Sequence, residues 1–332
     1  MAKGLEMRSR YLIFVIILLL FFNFCSKKQD TETEIFTFQK DLEIGVLEGN
    51  ENYMFGSISE IDLDKNGNIY VLDPKFSRIQ KYNENGKFLF SLLIKEGDGP
   101  DEAHYILSMA VTKNGNIWIL GGDRKILIFN REGKFLKSFI LDFDATHILP
   151  FNENVIFLGL RKNYILHEIN NEGKIIKSFA EPYKIPSKYS SYKEIPSLKR
   201  PIRADSSWDR EIFLISPYGY EIRIYRNYKI KKILKWENEA FIPLLITRAN
   251  VGIGIVFPYI SVLKHKNRLF VTIRGLGREA INHFDIFENF SHIYSLKVKG
   301  FPYAIDKIGR FYFAEEEDFP KVVRYVLNRK PK

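Results

Sequence analysis

The chain has 332 residues, of which 45% are hydrophobic and 15% aromatic, with 28 Phe, 18 Tyr and a formal net charge of +10. That length accommodates one large repeat domain or two ordinary ones, and the aromatic content favours pleated β-structure over a helical bundle. Cys25 is the one cysteine, which excludes intramolecular disulfides and leaves burial and hydrogen bonding to stabilise the fold.

At the amino terminus Lys3, Arg8 and Arg10 precede an apolar run from residue 11 to residue 22. The run is shorter than the ~20 residues of a spanning helix and suits the core of an export signal. Cys25 follows, then a polar tether over residues 26–33. Residues 1–25 resemble a bacterial lipoprotein signal, which implies Cys25 as the lipid-attachment residue and an exported, membrane-anchored protein facing the periplasm or cell surface. Asn23 and Phe24 stand where that signal prefers small residues, so an uncleaved anchor is the alternative. Nucleic acid is not an expected partner outside the cytoplasm.

Beyond the tether one unit recurs. Lys65-Asn66-Gly67-Asn68-Ile69-Tyr70-Val71-Leu72 returns as Lys113-Asn114-Gly115-Asn116-Ile117-Trp118-Ile119-Leu120, and each copy leads to a partner strand and an Asn-x-x-Gly-Lys turn. Second strands begin at Ile69, Ile117, Val155, Ile212, Leu269 and Phe311, 38 to 57 residues apart. Partner strands follow over 78–82, 125–129, 165–169, 221–225, 282–287 and 322–326, and upstream strands are readable in every unit except the fourth. Gly86, Gly133 and Gly173 close onto a further strand in three units. Six units of about four strands at this period fit an all-β, six-bladed β-propeller of antiparallel blades over residues 34–328. Runs such as Ile69-Tyr70-Val71-Leu72 are apolar on both faces, as expected of strands sandwiched between blades. The sixth unit lacks room for its outer strand, and residues 34–39 are expected to supply it and close the ring.

Over residues 97–139 the sequence reads Gly97-Asp98-Gly99-Pro100-Asp101-Glu102-Ala103, Met109-Ala110-Val111, Asn114-Gly115-Asn116-Ile117-Trp118 and Gly133-Lys134-Phe135. This resembles the NHL repeat and related six-bladed propellers of bacterial lipoproteins. The resemblance implies the fold, with binding or scaffolding roles commoner than enzymatic ones, and carries over no active site.

Motifs that suggest chemistry have blander readings. Asp64-Lys65-Asn66-Gly67-Asn68 begins like a calcium loop, but Ile69 and Lys75 occupy the positions that need Gly and a carboxylate, so a tight turn is expected. Gly275-Leu276-Gly277-Arg278-Glu279-Ala280 matches a dinucleotide fingerprint, yet the residues after it alternate like a strand where a helix is required. The six histidines, 104, 147, 167, 265, 283 and 292, show no metal spacing. No cofactor and no metal are expected, and catalytic residues are not assignable.

Charge gives the remaining expectation. Residues 181–235 hold 13 Lys/Arg against 6 Asp/Glu, together with Trp208, and read as a solvated loop or a partner-binding insertion. In propellers the turns between second and third strands share the face that usually receives ligands. Here they carry Lys75, Arg78, Arg124, Arg161, Lys162, Arg274 and Arg278. These residues and Trp208 are the candidate ligand contacts, and the ligand would be anionic: an acidic glycan, a lipid head group or an acidic protein surface. The functional expectation is a monomeric binding or scaffold module of the cell envelope, with loops 181–210 and 236–259 over the channel. The alternative is a propeller lyase or hydrolase with a metal or polar cluster in the channel.

Overall fold

The computed structural model describes residues 35–195, 203–206, 210–239, 241, 243–249, 252–256, 260–274 and 281–330. Phe38–Leu327 form one compact unit. The export signal, Cys25, Trp208, Arg278 and the 275–280 motif lie outside the described residues.

After β1 (Ile35–Ile44) the strands group into antiparallel four-stranded sheets in chain order. Blade 1 is β2 (Glu60–Leu63), β3 (Ile69–Asp73), β4 (Arg78–Tyr82) and β5 (Phe88–Leu93). Blade 2 is β6 (Ile106–Val111), β7 (Ile117–Gly121), β8 (Lys125–Phe129) and β9 (Phe135–Ile140). Blade 3 is β10 (Ala145–Phe151), β11 (Asn154–Arg161), β12 (Tyr164–Ile169) and β13 (Ile175–Phe179). Blade 4 is β14 (Ala204–Ser206), β15 (Ile212–Ile215), β16 (Glu221–Arg226) and β17 (Lys229–Lys235). A separate hairpin, β18 (Leu245–Ala249) with β19 (Gly252–Val256), precedes blade 5, which is β20 (Ile260–His265), β21 (Arg268–Ile273), β22 (Asn282–Glu288) and β23 (Ser291–Val298). Blade 6 is β24 (Phe301–Ile305), β25 (Arg310–Glu315) and β26 (Lys321–Lys330), with β1 as its outer strand. The fold is therefore the expected six-bladed propeller, and β1 supplies the missing strand of the last blade.

Burial explains why second strands are apolar on both faces. Every residue of β3, β7 and β15 is buried, because each blade packs on two neighbours. Tyr70, Leu72 and Ile79 join Met109, Ile119 and Leu127 in the core between blades 1 and 2. Trp118, Leu120 and Ile126 meet Ile148 and Phe157 between blades 2 and 3.

One turn device recurs between third and fourth strands. In the turns before β5, β9 and β13, the side chains of Asn83, Asn130 and Asn170 accept from the amides two and four residues on, at 2.8–3.1 Å. Each hairpin then passes through a glycine at φ near +80°, a region closed to most side chains: Gly86 at 78°, Gly133 at 80° and Gly173 at 86°. Outer strands β17 and β23 are entered differently, through Asn227-Tyr228 and Asn289-Phe290, whose φ values of 50° and 63°, and 50° and 67°, form two-residue left-handed turns.

The insertions at 185–195 and 241–246 pack on each other. Tyr189 Oη donates to Leu244 O at 2.6 Å, and both lie with Tyr218, Tyr192 and Ile246 in a small apolar cluster.

Candidate functional site

The inner strands β2, β6, β10, β14, β20 and β24 surround a channel, and one backbone edge of each faces the next blade rather than a sheet partner. Buried amides on that edge must be satisfied by something else, and side chains do it for Met109, Val111, Ile148 and Val262. Glu60 Oε2 accepts from Met109 N at 2.6 Å, and Asp62 Oδ2 accepts from Val111 N at 2.7 Å, which joins blade 1 to blade 2. Ser108 Oγ accepts from Ile148 N at 3.2 Å, joining blade 2 to blade 3. Asp205 Oδ2 accepts from Val262 N at 2.8 Å, joining blade 4 to blade 5.

Within this wall lies a cavity of about 550 Å³, lined among others by Glu60, Asp62, His147, Asp205, Tyr303 and Val111. It reaches the end of the channel formed by the turns between first and second strands. Lys65, Lys113, Arg210 and Lys307 come from four of those turns, and Asn152 from a fifth. Lys65, Lys113 and Arg210 are exposed and enter no ion pair among the described residues. Two further cations in the wall are matched: Lys264 Nζ lies 2.7 Å from Glu211, and Arg203 Nε 2.8 Å from Asp205, with its guanidinium 5.5 Å from the Tyr303 ring centre.

The turn geometry sets those lysines in place. Asp64 Oδ1 accepts from the amides of Asn66 and Asn68 at 2.9 and 3.0 Å, and Asp306 Oδ1 from those of Ile308 and Arg310 at 3.0 and 2.9 Å. In each copy the lysine is the residue after this cap, so Lys65 and Lys307 hold one repeat position, as does Lys113 after Thr112. The same bonds account for the calcium-like motif: Asp64 is committed to its own turn and to Asn68 Nδ2 at 2.7 Å. Among the described residues no three His, Cys, Asp or Glu side chains are grouped to hold a metal ion.

Glu60, Ser108 and His147 form the most enzyme-like cluster of the wall. Ser108 Oγ donates to Glu60 Oε1 at 2.8 Å, so the close approaches of His147 Nδ1 to Glu60 Oε1, 3.1 Å, and to Ser108 Oγ, 3.0 Å, place the proton on Nδ1. Acid and hydroxyl thus share one imidazole nitrogen, whereas a relay needs one on each. Ser108 is fully buried, and the cluster ties blades together.

Asp62 differs from its neighbours. Burial, reinforced by the charges of Glu60 and Asp64, pushes its carboxyl up to about 7 against the opposing bonds from the Val111 and Leu63 amides. A folded-state value above the unfolded one means its contribution is present in full below about pH 4 and is lost as pH rises through about 7. Scanning calorimetry of wild type and Asp62→Asn at pH 5 and pH 8 is expected to show the difference in melting temperature moving in favour of the variant at the higher pH. A difference that does not change with pH removes Asp62 from this role.

The sequence-selected cations among the described residues, Lys75, Arg78, Arg124, Arg161, Lys162 and Arg274, lie at the opposite end of the blades, in or beside the turns between second and third strands, and none of them lines the cavity. Arg78 Nη2 donates to Met54 O at 2.5 Å and its Nε lies 3.6 Å from the Asp73 carboxylate. Arg161 grips Asp142 through two nitrogens at 2.7–3.0 Å. Lys75, Arg124, Lys162 and Arg274 are exposed. Sequence reasoning missed Lys65, Lys113, Arg210 and Lys307, although the shared turn position of three of them was available as a signal.

The family DUF5128, described as a 6-bladed beta-propeller, matches residues 27–304. No curated protein matches the chain. Among solved structures, a Bacteroides fragilis protein designated as exported is 14% identical, with 91% of this chain and 98% of that one covered at a TM-score of 0.59. A DUF4221 family member from Bacteroides vulgatus is 9% identical, with 91% and 100% covered at 0.60. Virginiamycin B lyase from Staphylococcus aureus is 14% identical, with 89% and 100% covered at 0.53. At these identities the likeness shows the fold.

Proposed function

Since the chain belongs to the DUF5128 family of 6-bladed beta-propellers, we propose that it is an exported binding module of the cell envelope, held to the membrane through Cys25, whose channel receives an anionic ligand. The NHL-like repeats supply a rigid ring for that role. The observation that carries the reading is the set of exposed cations, Lys65, Lys113, Arg210 and Lys307, contributed by four blades to one end of a cavity of about 550 Å³. That volume is in the range of small-ligand sites, and convergent charge at a concave mouth draws an anion by long-range attraction and holds it by charge-assisted hydrogen bonds. The amino-terminal basic, apolar and cysteine sequence supports export and anchoring.

The test is an array of anionic glycans and lipid head groups probed with the full chain in detergent. Wild type is expected to bind, and the combination Lys65→Glu, Lys113→Glu and Arg210→Glu to lose the signal. Arg124→Glu with Arg274→Glu, at the opposite end, is expected to retain it. The reverse pattern moves the ligand to the face of Lys75, Arg124, Lys162 and Arg274, and a wild type that binds nothing on the array refutes the reading.

A further inference from the structure

The cavity is not uniformly basic. Below its cationic rim the wall carries three carboxylates, Glu60, Asp62 and Asp205. Two of them have a cationic or potentially cationic partner in the protein: Asp205 has Arg203 at 2.8 Å, and Glu60 has His147 at 3.1 Å. Asp62 has none among the described residues. Its bonds are to two amides, Leu63 N at 2.8 Å and Val111 N at 2.7 Å, and its neighbours Glu60 and Asp64 are themselves acidic. A carboxylate offers about four acceptor positions, so two amide bonds leave capacity for further donors. Asp62 is half-buried, and holding such a group in a partly dehydrated wall without a counter-charge is costly; a cation arriving with a ligand would offset that cost.

Asp62 and Lys65 are three residues apart along β2 and its turn, a separation on the order of 10 Å at strand rise. Resting on the anion reading of this channel, we propose that the ligand is a small zwitterion whose acidic group seats among Lys65, Lys113 and Arg210 while a primary ammonium at its other end meets Asp62. Rim and floor then select together. A simple anion satisfies only the rim, and a simple amine is repelled there before it reaches Asp62.

Calorimetric titration of the full chain in detergent with linear ω-amino acids of six to ten carbons, and with their N-acetylated forms, tests this. Acetylation removes the positive charge and keeps the acid and the chain. Wild type is expected to bind the free amine at least about tenfold more tightly than the acetylated form, the scale of one charge-assisted contact. In Asp62→Asn the ratio is expected to fall towards one, whereas Lys65→Ala with Lys113→Ala weakens both probes alike. Equal affinity of wild type for the two forms overturns the proposal and needs no variant to show it; an unchanged ratio in Asp62→Asn also overturns it. If the acetylated probe binds and the rim variant weakens it, the anion reading survives alone. If neither probe binds wild type, the zwitterion falls, and the array decides the anion reading independently.

Discussion

Deletion of residues 31–40 is expected to lower the melting temperature by roughly 10–20 °C, on the scaling of a few degrees per kcal/mol for a chain of this size. The deletion takes away the first part of β1, and with it the outer strand that lets the last blade close. Phe38 stands at the centre of that loss. Its ring meets Phe284, Phe313, Phe311 and Tyr325 edge-on, with centroids at 5.2, 5.3, 5.4 and 5.7 Å, so it contacts both blade 5 and blade 6. Phe38→Ala alone should cost about 3–5 kcal/mol, as large-to-small changes at packed aromatics do. One residue past the deletion, Asp41 accepts from Arg324 Nε at 2.9 Å, and the same guanidinium donates to Glu84 O of blade 1 at 2.6 Å. Arg324 therefore spans the seam where the ring closes. Thermal unfolding followed by circular dichroism gives the answer, and a melting temperature within a degree or two of wild type would show that β1 is dispensable.

Glu60→Ala is expected to destabilise the protein by about 3–5 kcal/mol, the usual scale for breaking a buried charged network by removing one partner. The carboxylate satisfies Met109 N and Ser108 Oγ, and Ser108 in turn satisfies Ile148 N, so one side chain holds three inner strands in register around the channel. Taking it away leaves the buried Met109 amide without an acceptor and removes the group against which His147 is oriented. Glu60→Gln keeps one acceptor for Met109 N, and its cost should be less than half as large. Urea unfolding of the two variants measures this. A Glu60→Ala cost below about 0.5 kcal/mol would place the stability of the channel wall elsewhere.

Much of this architecture was legible in the sequence because the same local physics is repeated. Buried second strands such as Ile69–Asp73 are continuous apolar runs, and the Asn-x-x-Gly-Lys turns announce their left-handed glycine. The fourth unit was harder to read for a physical reason: its inner strand, Ala204–Ser206, has only three residues and carries a charge, so it leaves no periodic pattern. The outer strands β17 and β23 were missed because Tyr228 and Phe290 adopt the positive φ that sequence reasoning assigns to glycine. The segment 236–259, expected as a loop, contains the hairpin of β18 and β19.

The candidate site was less legible than the fold. Their place in the turns between second and third strands chose Arg78 and Arg161, but Asp73 and Asp142 stand beside them in the folded chain, and ion-paired arginines offer less to an incoming anion. The rim cations each lie singly in a turn, and Lys65 and Lys307 are 242 residues apart. They become a group only when the ring closes and the Lys307 ammonium comes to donate to Lys65 O at 3.3 Å. The same positional reading applied to the turns between first and second strands aligns Lys65, Lys113 and Lys307.

The most direct measurement is a crystal structure of the protein with the anionic compound that binds it best on the array. The account predicts its acidic group among Lys65, Lys113 and Arg210, at the end of the channel built from the turns between first and second strands. Density for that group against Lys75, Arg124 or Arg274, at the other end of the blades, would contradict it.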